Sequence, residues 1–447
     1  MIDLHGHIAS ERGAQAATAL HEHLVFRIMP LSSHLYKVSI DVHSSLVKQM
    51  VDQCIELFRH ASFDGFSSTT VPKQHIADSY KHQIIHKVKN YLFNHLVLDF
   101  ILAEILNRKL VMANFPRLAA IEVLPDLTMI FHFDVSIADT IELKEWKHFA
   151  FKSPKRKRYK DLDKQVIAFV DNRNANNKKV NMHAIEENDW VLIATNVVDT
   201  QGQLVHPELS GLFWIKVGEQ EITPPLISQL LGRQVDGSFY STDLDIRESE
   251  DSYEKRAFKF LVTIKSVIKG SVFSLETFKT TFKLKNKNDI HNKLMEVFSY
   301  RNDVSQRKSI IEEVFHLLLS KHRFEIPKHL VLRREEFLLE QLMRQPDYHV
   351  YRAQKDFETC IQQLAEKQLK EEIVIDHIAH HENIKIDLRD MHNYLHLLSN
   401  KKLKEFIYFK PLSDIIDDYQ VMINVTALAQ TVAREKTLNH IIHALTH

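Results

Sequence analysis

A cluster of titratable side chains in the C-terminal third of the chain has the spacing of a metal site. Its members fall within seven residues: Asp376, His377, His380, His381 and Glu382. On a helix, positions three or four apart share a face, and imidazoles placed in this way hold zinc when a third ligand converges on them. The chain has no H-E-x-x-H motif and no cysteine pair to complete such a site. Because 28 of the 447 residues are histidine, clusters arise by chance, and we predict solvated or capping histidines and no metal.

Other signatures of chemistry are absent from the sequence. It contains no phosphate-binding P-loop, no glycine fingerprint for a dinucleotide and no G-x-S-x-G nucleophile elbow. We therefore predict that the protein uses no cofactor. The 58 basic and 58 acidic residues cancel, whereas general nucleic-acid binders and polybasic membrane clamps need an excess of positive charge. We expect neither DNA nor a membrane as a partner.

Length and composition limit the fold and the compartment. A chain of 447 residues exceeds one hydrophobic core, so about three domains are expected. Nine glycines and eleven prolines are too few for a fold dense in tight turns, which predicts a mostly helical protein. The first 24 residues include charged and imidazole side chains where a signal peptide needs an apolar core, and no apolar run is long enough to span a membrane. With two distant cysteines, Cys54 and Cys360, these features predict a soluble cytoplasmic protein.

Periodicity predicts a small α+β region near the N-terminus. Residues 26–29 and 35–40 have the alternation of short strands. Residues 43–60 carry apolar side chains three and four positions apart, which is typical of an amphipathic helix. A third strand at residues 128–136 would complete the region.

The rest of the chain is predicted to be β-rich and then helical. A basic run at residues 152–164 is interpreted as a solvated linker helix rather than a surface for RNA phosphates. Strand-like stretches follow at residues 191–194, 212–217 and 258–264, and helical patterns dominate from Phe273 onwards. The helical patterns there mix apolar and charged residues on all sides. Such helices form either an ordinary core or arms with scattered apolar patches, and periodicity does not distinguish these two cases.

An eight-residue segment between two helical patterns carries the most specific motif. It consists of Gly65, Phe66, Ser67, Ser68, Thr69, Thr70, Val71 and Pro72. The segment resembles the G-F-R-x-G-K-x-P loop with which trigger factor, the bacterial chaperone at the ribosomal tunnel exit, docks on the ribosome. Ser67 and Thr70 stand where the family has Arg and Lys, so the frame is kept and both charges are lost.

Further stretches resemble the trigger factor family in the same order, and together they cover roughly residues 25–447. They are residues 73–80 (KQHIADSY) with a long helix to about residue 107, 114–116 (NFP), 129–135 (MIFHFDV), 189–193 (DWVLI), 218–239 and 324–331 (FEIPKHLV). The resemblance implies an α+β, multidomain fold. Its expected parts are an extension at 1–24, a ribosome-binding-like α+β domain at 25–145, a linker at 146–177, an inserted β-rich FKBP-like domain at 178–269, and a long all-α C-terminal domain with arms at 270–447.

The resemblance also implies a prolyl isomerase pocket in the inserted domain. FKBP-type enzymes hold the X-Pro bond in an apolar pocket walled by aromatic rings, where the twisted amide is favoured, and they need no nucleophile. The positions that match this pocket are Ala194, Thr195, Thr223, Pro224 and Leu226. None of them is aromatic, so we expect isomerase activity to be low or absent. The remaining aromatic candidates for pocket walls are interpreted as core residues: Trp190, Phe213, Trp214, Phe239 and Tyr240.

The sequence therefore predicts a diverged trigger factor that acts as an ATP-independent chaperone for unfolded or nascent polypeptides. The ribosome is a second expected partner, with weakened docking, and a homodimer stays open. One alternative is an active prolyl isomerase with a substituted pocket. Another is a holdase or adaptor protein that works without the ribosome.

Overall fold

Three packed regions follow one another along the chain: a four-stranded sheet with helices, a five-stranded sheet, and a body of helices. The predicted mixed, multidomain fold class is confirmed. The computed structural model describes residues 23–58, 71–113, 115–155, 161–177, 184–206, 210–218, 225–242, 244, 258–270, 272–301, 304–343, 345–400, 402–411 and 422–446.

The N-terminal region is built on an antiparallel sheet in the order β1-β2-β4-β3. Its strands are β1 (Leu24–Pro30), β2 (Leu35–Val42), β3 (Arg117–Val123) and β4 (Met129–Ser136). Alternate side chains of β2 and β4 are fully buried, among them Val38, Ile40, Phe131 and Phe133. The three strands predicted from the alternation are confirmed, and β3 is an additional strand at the edge of the sheet.

Helices cover the buried face of this sheet. They are α1 (Ser44–Phe58), α2 (Lys73–Ser79), α3 (Lys81–Leu92) and α4 (Leu98–Asn107), with a π-helical turn at Phe93–Val97. The long helix expected after the loop therefore exists as α2, α3 and α4. A π-helical turn shifts the register of the side chains that follow it.

The middle region is an antiparallel sheet in the order β11-β6-β5-β8-β7. Its elements are β5 (Trp190–Val198), β6 (Gly211–Lys216), α6 (Pro225–Leu230), β7 (Ser238–Ser241) and β8 (Lys259–Ile268), with β11 (Met422–Asn424) contributed from near the end of the chain. The predicted strand stretches lie in β5, β6 and β8. One face carries Val191, Ile193 and Ile215 in the core shared with the N-terminal region, and the other carries Trp190 and Trp214 in the core of the helical body.

The C-terminal region is helical apart from short strands. Its helices are α7 (Leu275–Thr281), α8 (Lys287–Phe298), α9 (Gln306–Lys321), α10 (Lys328–Met343), α11 (Tyr348–Arg352), α12 (Phe357–His381), α13 (Leu388–Leu398) and α14 (Val425–Thr446). A two-residue hairpin pairs β9 (Tyr300–Arg301) with β10 (Val304–Ser305). Because β11 pairs with β6, this region is not the purely helical domain that was expected.

The expected linker contains a packed helix. Helix α5 (Leu162–Asn177) buries Leu162 and Val166 in the core of the helical body. The Phe169 ring centroid lies 5.5 Å from those of Phe273 and Phe298. Of the run predicted as a solvated helix, residues 152–155 are not helical, 156–160 lie outside the described residues, and only 162–164 belong to α5. Helix α5 itself packs against α8. None of the helices within the described residues combines the length and the apolar content of a membrane span.

A network of buried charges joins three helices of the C-terminal region. Arg434 on α14 donates to both carboxylate oxygens of Asp376 on α12, at 2.9 and 2.7 Å. It also lies 2.9 Å from Glu372. Arg334 on α10 donates to both oxygens of Glu372, at 2.7 and 2.9 Å. Paired, hydrogen-bonded charges of this kind tolerate burial, whereas the loss of one partner leaves a charge without compensation.

Glu371 is a buried carboxyl beside this network, and its titration is a test of the packing. It accepts a hydrogen bond from the Tyr408 hydroxyl at 2.7 Å, and burial raises the pKa of Glu371 from 4.5 to about 7. A raised pKa means that the folded state holds the proton more tightly. The protonated Glu371 carboxyl therefore stabilises the fold fully below about pH 4.5, and this stabilisation is lost as the pH rises through 7.

We expect Glu371→Gln to raise the free energy of unfolding at alkaline pH and to leave it unchanged near pH 4. The amide keeps a hydrogen bond to Tyr408 and has no charge to desolvate, so the gain reaches at most about 3 kcal/mol. Denaturant unfolding followed by circular dichroism at several pH values measures it. Exposed Glu340 on α10 offers the matched control Glu340→Gln, which should not change the pH profile. Parallel profiles for wild type and Glu371→Gln would contradict the expectation.

Candidate functional site

The isomerase-pocket positions within the described residues are interior. Ala194 and Thr195 lie on β5 and Leu226 lies in α6, and none is more than 4% exposed. The Thr195 Oγ1 is 3.5 Å from the carbonyl oxygen of Gly211 on the neighbouring strand β6. Two further expected pocket residues lie outside the described residues: Thr223 and Pro224. In this conformation a proline ring has no access to the three described positions.

The helical segment of the N-terminal region covers this face of the middle sheet. The Tyr91 ring centroid lies 4.7 Å from that of Phe258, and the His95 centroid lies 5.1 Å from that of Phe213. Burial lowers the pKa of His95 to about 4, so the ring is neutral near pH 7 and packs as an aromatic group. A Cβ on Gly211 would lie 3.1 Å from the His95 Nδ1, which is closer than ordinary contact. The N-terminal region and the middle sheet are therefore tightly packed here.

The aromatic residues considered as pocket walls are mostly core. Trp190, Phe213, Trp214 and Phe239 are buried, whereas Tyr240 is 51% exposed. The two tryptophans face the helical body, on the side of the sheet away from Thr195. The interpretation of these rings as core residues is confirmed for four of the five.

Only the far end of the motif loop is described. Gly65, Phe66, Ser67 and Thr70 lie outside the described residues. At the far end, Val71 is buried. Exposed Pro72 precedes the first turn of α2, where its missing N–H and fixed φ are tolerated.

The helices on either side of the loop are held together at its base. The Phe58 ring centroid at the end of α1 lies 5.8 Å from that of Tyr80, and Lys73 forms an ion pair with Glu56. The Lys87 ammonium lies 4.9 Å from the Phe58 ring centroid. Residues 59–70 therefore connect two fixed points.

Five of the thirteen exposed large apolar side chains among the described residues lie in one helical hairpin, which we call the arm hairpin and which comprises α10, α11 and α12. They are Leu332, Met343, Val350, Tyr351 and Leu364, exposed by 40 to 66%. Large apolar side chains grouped on one exposed element are typical of a surface that binds another molecule. Charged residues of both signs lie between them.

The base of the arm hairpin is fixed, unlike its apolar surface. Leu330, Ala365 and Leu369 are buried between α10 and α12. Val111 and Ala113 of the N-terminal region belong to the same cluster. The chain thus holds the hairpin between its N-terminal sheet and its helical body and leaves the turn around α11 to solvent.

Two family models match this chain. The model of the bacterial trigger factor protein matches residues 28–168, and the model of the bacterial trigger factor C-terminus matches residues 286–443. Together they cover about two thirds of the chain. The chain belongs to the trigger factor family.

Individual relatives are distant. The trigger factor of Desulfatibacillum aliphaticivorans is 21% identical over 383 residues, which cover 81% of this chain and 84% of the relative. A solved structure from work on promiscuous substrate recognition in folding and assembly by the trigger factor chaperone is 13% identical. It covers 93% of this chain and 99% of its own, with a TM-score of 0.35.

Membership of the trigger factor family gives the chain a chaperone role in protein folding. The matched stretches contain the N-terminal sheet and most of the helical body, including the arm hairpin. The middle sheet, residues 190–268, lies between them. The predicted resemblance to this family is confirmed.

The side chains of the histidine cluster do not converge on one point. Asp376 is paired with Arg434, and Glu382 lies 2.6 Å from the Lys147 ammonium. Burial lowers the pKa values of His377 and His380, which favours their neutral forms. Across the described residues, no three His, Cys, Asp or Glu side chains are grouped as metal ligands. Sequence reasoning did not predict the ion pair of Asp376 with Arg434, because the two residues are 58 positions apart in sequence.

We expect the full-length chain to have little prolyl isomerase activity. Leu226 and Thr195 offer less apolar area than aromatic rings, and one lost ring at about 1–2 kcal/mol of transition-state binding slows the reaction roughly five- to thirty-fold. A protease-coupled assay with an Ala-Phe-Pro-Phe peptide measures the rate.

The variant Tyr91→Ala distinguishes two causes of low activity: a pocket covered by the N-terminal helical segment, and a pocket that lacks aromatic walls. Because the aromatic walls are missing, removing the cover should leave the rate low. A wild-type rate near that of an intact FKBP-type enzyme would refute the expectation, and a large rise in Tyr91→Ala would place the block at the cover alone.

Proposed function

We propose that this chain binds unfolded or nascent polypeptides without ATP, and that the arm hairpin is its main contact surface. The observation that carries the proposal is the set of exposed apolar side chains at Leu332, Met343, Val350, Tyr351 and Leu364. The chaperone family supplies the role, and the hairpin supplies apolar surface on a fixed base.

The physics of such a surface favours weak and reversible binding. Fully burying one Val, Leu or Met side chain yields about 1.5–3 kcal/mol. Ordering a flexible client consumes much of this gain, because association and side-chain immobilisation each cost several kcal/mol. We therefore expect micromolar affinity and rapid release. The mixed charges around the apolar residues impose no sequence preference, which suits many clients.

The first test is suppression of aggregation. Without ATP, the wild-type chain at several-fold excess should slow the aggregation of a chemically denatured model enzyme, measured by light scattering. The double variant Val350→Ser, Tyr351→Ser should weaken client affinity about tenfold or more, since two contact side chains lose their apolar area.

The chain itself provides a matched control for these substitutions. Val235 and Tyr240 in the middle region are 47% and 51% exposed. Their substitution replaces the same two residue types as in the arm hairpin. The variant Val235→Ser, Tyr240→Ser should suppress aggregation like wild type. Equal loss in both double variants would argue against the arm hairpin, and no suppression by wild type would overturn the proposal.

A second proposed contact is the ribosome, through the loop at residues 65–72. The Gly65-Phe66 and Val71-Pro72 frame and the fixed loop base support it. The two charges lost at Ser67 and Thr70 would be worth about 1.5–3 kcal/mol each, so docking should be weakened about a hundred-fold or more. A ribosome-independent holdase or adaptor is the alternative.

We expect Ser67→Arg with Thr70→Lys to increase co-sedimentation with ribosomes at low salt, and high salt to reverse the increase, because the new contacts are ionic. Ser45→Arg with Ser44→Lys, at the start of α1, adds the same charges away from the loop and is the control. Equal binding by wild type and the loop variant would show that the loop no longer docks.

We further propose the domain division that the sequence predicts: 1–24, 25–145, 146–177, 178–269 and 270–447. The N-terminal sheet, the middle sheet and the helical body support its main boundaries.

We propose a cytoplasmic location, in keeping with the family role and with Cys54 and Cys360, which are both free. An active isomerase with a substituted pocket is retained as the alternative function, and the peptide assay decides it.

A further inference from the structure

A cavity of about 810 Å³ lies inside the helical body, away from the arm hairpin. Segments from α7, α8, α9, α13 and α14 line it. Its size is that of a small-molecule site. Apolar side chains form part of the wall, including Phe282, Leu397, Val432 and Ile442. The polar part of the lining contains two cations with little exposure to solvent, Arg307 and Lys293.

Arg307 lies in the floor of the cavity and is fully buried. Its Nη2 donates to Asn439 Oδ1 and, at 3.4 Å, to the carbonyl oxygen of Phe406. Its Nε and Nη1 have no hydrogen-bond partner among the described residues. Buried guanidinium donors without a partner are costly, so a ligand that accepts from them would be favoured.

The nearest carboxylate does not fully compensate Arg307. Glu435 Oε1 is 3.8 Å from the Arg307 Nη2. Its other oxygen accepts the backbone N–H groups of Tyr408 and Phe409, at 2.9 and 3.1 Å. Burial raises the pKa of Glu435 and lowers that of Arg307. Both directions reflect the exclusion of solvent, which the charges of Glu435 and Glu296 offset only in part at Arg307.

Lys293 is a second cation in the same wall. Its side chain is 15% exposed and lies 2.9 Å from Glu296. The Lys293 ammonium and the Arg307 guanidinium lie 5.5 and 5.7 Å from the centroid of the same ring, Phe282. Burial is the main cause that lowers the pKa of Lys293, and the Arg307 charge adds to it. An anion between these groups would relieve their repulsion.

The rim of the cavity adds two exposed lysines. Lys283 lies 3.4 Å from the His440 Nδ1, and neither Lys283 nor Lys285 has a carboxylate partner within the described part of the chain. By contrast, Lys436 on the rim is paired with Asp390 at 2.7 Å. The rim therefore offers attraction for an anion on the side of α7 and α8.

The lining favours a carboxylate over a phosphate. The N-terminus of α8, which would cradle a phosphate, is already capped, because Asn286 Oδ1 accepts the N–H of Asp289 at 2.9 Å and the Asp289 carboxylate accepts that of Asn286 at 3.1 Å. A second negative charge would be repelled by that carboxylate. The apolar wall suits a ligand that carries a short hydrocarbon part.

We propose that this cavity binds a carboxylate borne on a short apolar chain, with Lys293 and Arg307 as its charge partners and Lys283 and Lys285 at the entrance. The source is either a polypeptide terminus or a free organic acid, since both present the same group. The assignment does not depend on client binding by the arm hairpin.

Calorimetric titration of the full-length chain tests the proposal with defined probes. We expect N-acetyl-Leu-Leu with a free carboxyl terminus to bind and its C-terminal amide to bind at least tenfold more weakly, because a charged hydrogen bond is lost. Hexanoate forms the second arm. Binding of hexanoate as well as the peptide acid indicates a free acid as a sufficient ligand, whereas binding of the peptide acid alone indicates a polypeptide terminus.

Variants locate the binding. Lys293→Met keeps an unbranched side chain over Phe282, removes the charge, and should weaken peptide-acid binding tenfold or more. The double variant Lys283→Gln, Lys285→Gln changes exposed residues only and should weaken it about three- to tenfold. Exposed Lys287 does not line the cavity, so Lys287→Gln is the matched control and should bind like wild type.

Four results would overturn the proposal: no binding of either acid at millimolar concentrations, equal binding of the peptide acid and its amide, unchanged affinity in both cavity variants, or binding of inorganic phosphate in place of the acids. The rim variant keeps the test decisive if Lys293→Met folds poorly. Aggregation suppression by the rim variant should equal that of wild type, which separates this site from the proposed client surface.

Discussion

The packing of the C-terminal region depends on Arg434, which binds two carboxylates at the point where three helices meet. Asp376 and Glu372 on α12 converge on it from one side of α14, and Arg334 on α10 completes the network. Burial opposes ionisation of Glu372, yet the charges of the two arginines lower its pKa. Since buried ions are tolerated only when paired and hydrogen-bonded, the network permits one register of α10 against α12. The base of the arm hairpin is thereby fixed, and its turn can expose apolar side chains without loss of the fold.

The middle sheet is constrained from both sides. Tyr91 and His95 pack on the face that carries Thr195, whereas Trp190 and Trp214 pack on the helical body. Strand β11, near the end of the chain, pairs with β6 at the edge of the sheet, so the sheet combines elements that are distant in sequence. Within the described residues both faces of β5 are covered, so this strand joins the core of the N-terminal region to that of the helical body.

The sequence predicted local structure well and exposure poorly. Helix α12 lies in the stretch predicted as helical from Phe273 onwards, and its many strong helix formers favour that prediction. Strand β3 was missed, since two alanines interrupt its alternation and edge pairing alone defines it. The choice between a core and an exposed arm required the structure, because Val350 and Ala365 belong to similar patterns and differ only in what covers them. The cavity cations were equally hidden, since Arg307 and Glu435 are far apart in sequence.

The sheet positions where a pocket is predicted lie directly beneath the helical segment of the N-terminal region. In this chain, Thr195, Gly211 and His95 occupy adjoining space, and even one added carbon on Gly211 would approach the His95 ring within 3.1 Å. The small residues at positions 195 and 211 therefore leave room for His95 to pack against the sheet. The face of β5 on which the sequence predicts the pocket is thus an interface between the N-terminal region and the middle sheet.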